Sequence, residues 1–425
     1  MGHPGSLWVG VLDLDESEPV AAVNGAIRAD QRNARILVRL HHAPLGYVTV
    51  GLSPVRTLSD RARAAAEVTL ADELHRHRLV DDATQAGDFS EAWDAHVTCP
   101  RRFAPPDGAG ISVIICTRDR PSRLRDCLSS LRQVTYAPLE ILVVDNAPSG
   151  DATREVVAEF AATDTRIRYL CEPRPGLSKA RNLGVTKARF DLVAFTDDDT
   201  LVDPGWPAAL AAGFAADEQA ECITGIVVAR SLDTGSELYF DSRYTWGKSF
   251  EPRRYDLAEH RDGSAVYPYS AGIFGTGANF ALRRPAILRM GGFDTLLGAG
   301  AQSRGGEDLD VFVRVILGGG RLCYLPAALV WHQHRADAEG LATQLYSYGC
   351  GLGAYLAKRL IGREMTVAVL GRGLLQSGAT LKRMRQASQT SQLRSGRRKL
   401  ALIEAAGVFA GAACYYRLTR RMRQR

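Results

Sequence analysis

Three adjacent carboxylates, Asp197, Asp198 and Asp199, stand directly after a short apolar run at residues 192–195. Such a run is typical of a strand that is buried on both faces. Three carboxylates at the end of a buried strand repel one another unless a cation lies among them. The pattern therefore indicates a hard divalent ion that carries a diphosphate, with a polar surface turn as the alternative. Strand alternation predicts that Asp197 and Asp199 face one side and Asp198 the other.

A second pair of acids, Glu307 and Asp308, follows two glycines and opens a predicted amphipathic helix. Acids at a helix N-terminus are favoured by the helix dipole, which is a purely structural explanation. The functional alternative makes Asp308 a general base that takes a proton from a hydroxyl group. The glycine-rich stretch 298–306 favours a mobile lid beside this pair. Two histidines, His332 and His334, follow a later apolar strand and are predicted to share one face, near the metal.

The elements that position these residues are predicted to be alternating strands and helices. Apolar runs of strand length begin near residues 111, 139, 166 and 191, and helical stretches separate them. This alternation indicates βαβ units and a parallel sheet. Asp145 ends the second run and Asp197 ends the fourth, so both acids are expected in the crevice at the carboxyl ends of the strands. Asp145 could bind a nucleobase there or cap the following helix.

Seven segments together resemble the family 2 glycosyltransferases. They are residues 112–121 (SVIICTRDRP), 143–146 (VVDN), 176–182 (GLSKARN), 197–199 (DDD), 275–280 (GTGANF), 306–308 (GED) and 330–332 (VWH). The resemblance extends over roughly residues 110–335 in the family's order, which makes it more specific than any single motif. It implies the GT-A fold, an α/β architecture with a Rossmann-like, mostly parallel sheet and flanking helices. It also implies inverting transfer of a sugar from a nucleotide diphosphate to an acceptor hydroxyl, usually with a divalent metal.

The resemblance implies roles for individual residues of this chain. Asp308, with Glu307, resembles the catalytic acidic pair, and Asp199 and His332 resemble the ligands of Mg²⁺ or Mn²⁺. The nucleotide-sugar side is expected at Thr117, Arg118, Asp145, Arg181, Asp197 and Asp198, and the sugar and acceptor side at Gly277, Asn279 and Trp246. Arg120 is a further candidate for the base or the diphosphate, because a guanidinium group suits phosphate geometry. Ordinary core packing is the alternative for the tryptophan, and a surface position is the alternative for each arginine.

The net charge of +6 is concentrated at the C-terminus, where residues 381–425 contain twelve Lys and Arg residues against Glu404 alone. The stretch 400–416 is apolar apart from that glutamate and is shorter than the ~20 residues that a membrane span needs. Basic flanks around an apolar helix favour peripheral contact with an anionic membrane. A pair of helices packed on the catalytic domain is the alternative. The charge lacks interleaved aromatic residues or a reader motif, so no nucleic acid partner is predicted.

The rest of the chain supports a division into four parts. We predict an N-terminal α+β module of unknown role at residues 1–100, a linker at 101–110, a glycosyltransferase domain at 111–336 and a helical, basic region at 337–425. Adjacent histidines in the first module are more commonly solvated than ligating. The eight cysteines are scattered without CxxC spacing, so we predict no zinc site and a reducing compartment. No signal peptide is evident, so a cytoplasmic location is expected, with peripheral contact at the inner face of the plasma membrane as a further expectation.

The predicted function is inverting glycosyl transfer with a nucleotide-diphosphate sugar as donor and a carbohydrate or lipid-linked acceptor, in glycoconjugate or cell-envelope synthesis. One alternative is sugar-phosphate nucleotidyl transfer, which expects a glycine-rich phosphate loop after the first strand. The segment 116–121 (CTRDRP) contains no glycine. The other alternative is a catalytically inactive protein that binds a sugar nucleotide, and the joint presence of Asp199, Asp308 and His332 argues against it.

Overall fold

The computed structural model describes residues 5–52, 56–85, 99, 109–244, 249–270, 272–369, 371–372 and 394–424. Its strands are β1 (Leu7–Asp13), β2 (Ala21–Ala22), β3 (Asn33–Leu40), β4 (Ala43–Gly51), β5 (Ile111–Thr117), β6 (Leu139–Asn146), β7 (Ile167–Glu172), β8 (Leu192–Asp197), β9 (Thr200–Val202), β10 (Ala220–Ala229), β11 (Arg253–Tyr255), β12 (Asn279–Arg283) and β13 (Arg321–His332). Its helices are α1 (Leu58–Thr69), α2 (Ala71–Gln85), α3 (Pro121–Arg132), α4 (Ala152–Ala161), α5 (Leu177–Lys187), α6 (Trp206–Ala216), α7 (Gly235–Arg243), α8 (Arg284–Arg289), α9 (Glu307–Leu317), α10 (Ala338–Ile361) and α11 (Arg394–Arg423).

The larger sheet has the strand order β11-β13-β10-β12-β8-β5-β6-β7, and β9 pairs with β13. Strands β8, β5, β6 and β7 are parallel neighbours, as are β10 and β13. Strand β12 lies antiparallel between β8 and β10, so the sheet is mixed and its longer pairings are parallel. The predicted α/β architecture with a mostly parallel sheet and flanking helices is confirmed.

Both faces of this sheet are buried, because side chains alternate along each strand. In β5, Val113 and Ile115 join the cluster that contains the apolar faces of α3 and α4. Ile114 joins the opposite cluster with residues of α5 and α9. Burial on both faces explains why the parallel strands appear in the sequence as continuous apolar runs rather than alternating ones.

The N-terminal residues form a second, four-stranded sheet with the order β2-β1-β3-β4. Strands β3 and β4 form an antiparallel hairpin, and helix α1 packs on the sheet through Ala62 and Ala66. Arg35 pairs with Asp241 at 2.7 Å, which links this sheet to helix α7, between β10 and β11 of the larger sheet. The boundary predicted at residues 101–110 stays a prediction, because residues 101–108 lie outside the described residues.

Helices α10 and α11 provide the predicted helical character of the C-terminal region and pack closely through glycines. A Cβ atom on Gly407 would stand 2.3 Å from the carbonyl oxygen of Tyr346, and one on Gly411 would stand 1.9 Å from that of Cys350. Only glycine allows this backbone approach. Among the described helices, the segment 398–422 is long and apolar enough to cross a membrane, by length and composition. Of the apolar 18-residue stretch within it, 17% is buried.

Candidate active site

The carboxyl ends of three neighbouring strands bring the predicted nucleotide-side residues together. Thr117 is registered with Asp145 across β5 and β6, and Cys116 is registered with Asp197 across β5 and β8. The two acids therefore lie at the same edge of the sheet, on either side of β5. This edge is where open α/β sheets bind ligands.

Asp198 and Asp199 lie beyond the end of β8 and face a group of positive side chains. Asp198 accepts hydrogen bonds from Thr117 Oγ1 at 2.7 Å and from Arg120 Nη1 at 3.1 Å. Asp199 accepts one from Arg123 Nη1 at 2.8 Å. The alternation predicted for the triplet is wrong, because strand geometry ends at Asp197 and the next two residues form a turn. Asp198 and Asp199 share cationic partners instead of facing opposite sides.

His332 lies against Asp199, the last acid of the triplet. Its Nε2 is 3.4 Å from Asp199 Oδ1, and its Nδ1 is 3.2 Å from Nδ1 of His334. Burial disfavours ionisation of Asp199, but the charges of His332, Arg335 and Arg120 outweigh burial and hold the pKa of this carboxyl below its usual range. Burial likewise opposes protonation of His332, and Asp199 raises its pKa nonetheless. The pKa of His334 falls to about 3 because of burial and the neighbouring His332.

Arg181, from helix α5, connects the acidic triplet to the second acidic pair. Its Nη1 donates to Glu307 Oε1 at 2.9 Å, and its Nη2 donates to the carbonyl oxygen of Gly277 at 2.9 Å. The same Nη2 lies 3.6 Å from Asp197 Oδ1. Three phenylalanine rings surround the guanidinium, those of Phe195, Phe280 and Phe293. The guanidinium of Arg181 is therefore buried, and its contacts with Glu307 and the Gly277 carbonyl fix its position.

The two acids of α9 differ in their surroundings. Glu307 is buried beside Arg181, and burial together with the neighbouring Asp308 raises its pKa to about 7. Asp308 is half-buried. Its Oδ2 accepts a hydrogen bond from Gly277 N at 2.8 Å, and its Oδ1 accepts one from Leu309 N at 2.8 Å. Of the pair, Asp308 is the carboxylate that a substrate can reach.

Asp145 is completely buried, and its two carboxylate oxygens differ in their hydrogen bonds. Tyr169 donates a hydrogen bond of 2.9 Å to its Oδ2. Its Oδ1 has no hydrogen-bond partner among the described residues. Burial raises the pKa of this carboxyl, against the hydrogen bond from Tyr169. An unbonded buried oxygen is costly and suits a site where a ligand N–H completes the bonding.

Three of the predicted residues lie apart from this cluster or outside the described residues. The Arg118 side chain is 53% exposed and pairs with Asp119, outside the acidic triplet. Asn279 is fully buried within the sheet, where its amide bonds to Ile226 O, Ala328 O and Trp206 Nε1. The expectation that Asn279 lines the acceptor side is therefore corrected: its side chain holds strands together. Trp246 lies outside the described residues.

Two arginines belong to the cluster without having been predicted there. Arg123 bonds Asp199, and Arg335 Nη2 lies 3.7 Å from Asp199 Oδ2. Arg123 lies in the first turn of α3, three residues after Arg120, which immediately precedes that helix. This spacing is a signal that the sequence contains. Arg335 comes after the histidine motif, and only the return of the chain after β13 places it near the triplet.

The sequence comparisons identify relatives of this chain. Residues 112–283 match the family described as Glycosyl transferase family 2, and a 31% identical relative aligns over 331 residues. Residues 112–283 form a segment of glycosyl transferase family 2. That relative is the pre-mycofactocin glycosyltransferase of Mycobacterium tuberculosis, and the alignment covers 78% of this chain and 64% of the relative. The predicted family is confirmed, while the chain spans less than two thirds of this relative's length.

Two further proteins are similar to the chain. The glucosyl-dolichyl phosphate glucuronosyltransferase of Haloferax volcanii is 26% identical over 246 residues, which are 56% of this chain and 75% of that protein. A solved structure of the mannosyltransferase PcManGT from Pyrobaculum calidifontis, in complex with GDP-Man and Mn²⁺, is 18% identical. It superposes with a TM-score of 0.48 over 80% of this chain and 99% of its own.

Proposed function

We propose that this protein is an inverting, metal-dependent glycosyltransferase that moves a sugar from a nucleotide diphosphate to an acceptor hydroxyl. The observation that carries the proposal is the buried network of Arg181, which joins Asp197 at 3.6 Å, Glu307 at 2.9 Å and the Gly277 carbonyl at 2.9 Å. Gly277 in turn binds Asp308. The residues proposed for the donor side and for the acceptor side are thus linked through Arg181 and Gly277.

The donor's base and diphosphate would contact different parts of the strand-end crevice. Oδ1 of Asp145 would accept a hydrogen bond from an N–H of a nucleobase. Thr117 holds Asp198 in place beside it. Arg120 and Arg123 present guanidinium groups at the acidic triplet, and such groups match the geometry of phosphate oxygens. They would move from the carboxylates to the diphosphate when the donor binds.

Asp199 and His332 fit a divalent cation. A carboxylate oxygen and an imidazole nitrogen face each other at 3.4 Å in a buried position, and this donor pair suits Mn²⁺ or Mg²⁺ when substrate phosphates complete the shell. When bound, such an ion neutralises the charge that builds on the departing nucleoside diphosphate. The protein's part is to hold both ligands in place. The positive charge of Arg335 offsets the repulsion between Asp199 and the neighbouring carboxylates.

Asp308 is the proposed general base. Hydrogen bonds from Gly277 N and Leu309 N orient its carboxylate at the start of α9, and its half-exposed position leaves it accessible to an acceptor. It would take the hydroxyl proton as the acceptor oxygen attacks the anomeric carbon from the face opposite the diphosphate. Attack from that face inverts the anomeric centre. Glu307 would position Arg181 rather than accept the proton.

The acceptor is proposed to be a carbohydrate or lipid-linked hydroxyl. The names of the two curated relatives supply acceptor classes for a first assay, namely pre-mycofactocin and glucosyl-dolichyl phosphate. A lipid-linked acceptor would also suit helix α11, which exposes Leu402 (71%) and Phe409 (78%) next to basic residues. We propose that this helix contacts an anionic membrane surface.

Thermal stability and activity test the proposed function together. We expect one of UDP, GDP, dTDP and CDP to raise the melting temperature with Mn²⁺ and not with EDTA, because a ligand of the native state stabilises it. Asp308→Asn should lower kcat by about 10²- to 10⁴-fold and leave this nucleotide-induced shift unchanged. Asp151→Asn, at an exposed position, is the matched control.

Three outcomes would contradict the assignment. Full activity of Asp308→Asn would remove this residue as the base. Nucleotide binding by the wild-type chain without transfer to any acceptor would favour an inactive sugar-nucleotide-binding protein. Release of pyrophosphate from a nucleoside triphosphate and a sugar phosphate would favour nucleotidyl transfer.

A further inference from the structure

Three side chains with metal-binding atoms converge in the N-terminal part of the chain, on segments far apart in sequence. His41 lies in the turn between β3 and β4, His77 lies on helix α2, and Cys99 lies before the stretch that leads to β5. One nitrogen from each histidine and the cysteine sulfur all lie within 4.8 Å of one another. We infer that His41, His77 and Cys99 form a zinc site that ties these three segments together.

The distances fit the edges of a tetrahedral zinc site. His41 Nδ1 is 3.4 Å from His77 Nε2 and 3.4 Å from Cys99 Sγ. With zinc–nitrogen bonds of about 2.0 Å and zinc–sulfur bonds of about 2.3 Å, neighbouring ligand atoms stand about 3.3 to 3.6 Å apart. A hydrogen bond between two imidazoles would be shorter, at about 2.7 to 3.2 Å between nitrogens. The separation of the two histidine nitrogens therefore matches two ligands of one ion better than a donor and its acceptor.

The backbone and surroundings of His41 support a ligating role. Its φ is 54°, a left-handed conformation that costs free energy for a residue with a side chain. Asp15 stabilises the conformation by accepting a hydrogen bond of 3.0 Å from His41 N. The second oxygen of Asp15 is 3.9 Å from His41 Nε2, so that a carboxylate lies behind the ring while Nδ1 faces the other donors. Carboxylates on the far nitrogen are common for metal-bound histidines.

Burial and donor chemistry favour zinc over harder ions. Cys99 is 1% exposed and His77 is 7% exposed, so two of the three donors are withdrawn from solvent, and His41 is partly buried. A thiolate with two imidazoles is a soft and borderline donor set, which selects zinc rather than Mg²⁺ or Mn²⁺. Three protein ligands leave a fourth position for water or a further donor. The absence of CxxC spacing concealed this set in the sequence, because the turn, the helix and Cys99 meet only after folding.

Cobalt and zinc binding by the full chain test the site. The purified chain would be stripped with chelator and titrated with Co²⁺ in excess Mg²⁺, which occupies sites made of oxygen ligands. We expect a thiolate-to-cobalt charge-transfer band and one Zn²⁺ retained per chain after exchange. The pair Asp199–His332 contains no thiolate, so the band reports only a cysteine site. A folded wild-type chain without the band would overturn the inference without the use of any variant.

Variants then assign the ligands. Cys99→Ser should abolish the band and weaken zinc binding about 10-fold or more, and His77→Ala should weaken zinc binding similarly. Cys171→Ser removes an exposed cysteine, and His75→Ala removes an exposed histidine from the same helix as His77, so both should keep the band and the zinc. Zinc retained equally by Cys99→Ser would overturn the site. Circular dichroism of each variant separates loss of a ligand from loss of the fold.

Discussion

Arg181 Nη1 donates a hydrogen bond of 2.9 Å to Glu307 Oε1, and neither side chain is more than 7% exposed. The two residues come from different helices, α5 and α9, which the chain separates by more than a hundred residues. Their pairing fixes the start of α9 and hence the position of Asp308. Burial nevertheless outweighs Arg181 in its effect on Glu307, whose pKa rises from 4.5 to about 7.

This raised pKa predicts a pH-dependent stability effect of Glu307→Gln. A carboxyl with a raised pKa in the folded state contributes its stability below the unfolded pKa, and loses it as pH rises through the folded value. The wild-type chain should therefore lose up to roughly 3 kcal/mol between pH 4.5 and 7 through this group, while the variant should not. The melting temperature of the variant minus that of the wild type should rise from pH 5 to pH 8. Glu339→Gln, at an exposed position, should show no such slope.

Arg123→Ala should weaken binding of the donor more than Arg118→Ala does. Arg123 donates a hydrogen bond to Asp199, whereas Arg118 is exposed and pairs with Asp119. Loss of a charge-assisted contact to phosphate corresponds to about 10-fold weaker binding. Titration calorimetry with the nucleotide identified by thermal shift would measure both variants. Equal losses for the two arginines would contradict the placement of the diphosphate beside Asp199.

Asp310→Asn should destabilise the fold without involving the reacting groups. Asp310 and Arg359 are both completely buried and form an ion pair between α9 and α10, with Lys358 at 2.9 Å as a second partner. Breaking a buried pair from one side costs about 3–5 kcal/mol, since the remaining charge is buried without full compensation. Urea denaturation would measure the loss, and Asp151→Asn should change stability by no more than about 0.5 kcal/mol. A similarly small effect of Asp310→Asn would show that Glu364, the other carboxylate paired with Arg359, suffices to compensate the charge of this arginine.

Helix α11 should bind anionic vesicles. Flotation with phosphatidylglycerol vesicles is expected to recover the chain at low salt, and less of it with phosphatidylcholine or at high salt, because basic residues contribute electrostatic attraction. Phe409→Glu should reduce recovery, since this side chain is 78% exposed on the apolar face. Val68→Glu alters a comparably exposed apolar residue, 83% exposed, on helix α1, and should leave recovery unchanged. Equal recovery with both lipids would argue against the basic flanks as the cause.

Local patterns in the sequence were sufficient for the strands and for the position of the acids. Burial on both faces of a parallel sheet leaves continuous apolar runs, and Asp145 and Asp197 stand at the ends of two such runs that flank β5. The predicted alternation within the triplet was wrong because the strand ends one residue into it. Asn279 was predicted beside the acceptor because of its motif, yet its amide bonds three partners from distant segments.

The sequence by itself determined the family, the α/β sheet and the identity of the acidic and histidine residues at its edge, because these depend on short motifs and on side-chain periodicity. Only the tertiary structure decided which charges meet. Arg181 reaches Glu307, Arg123 reaches Asp199, and His41 reaches Cys99 across 58 residues. Contacts between distant segments depend on how helices and turns pack around the sheets, and no local pattern encodes that packing.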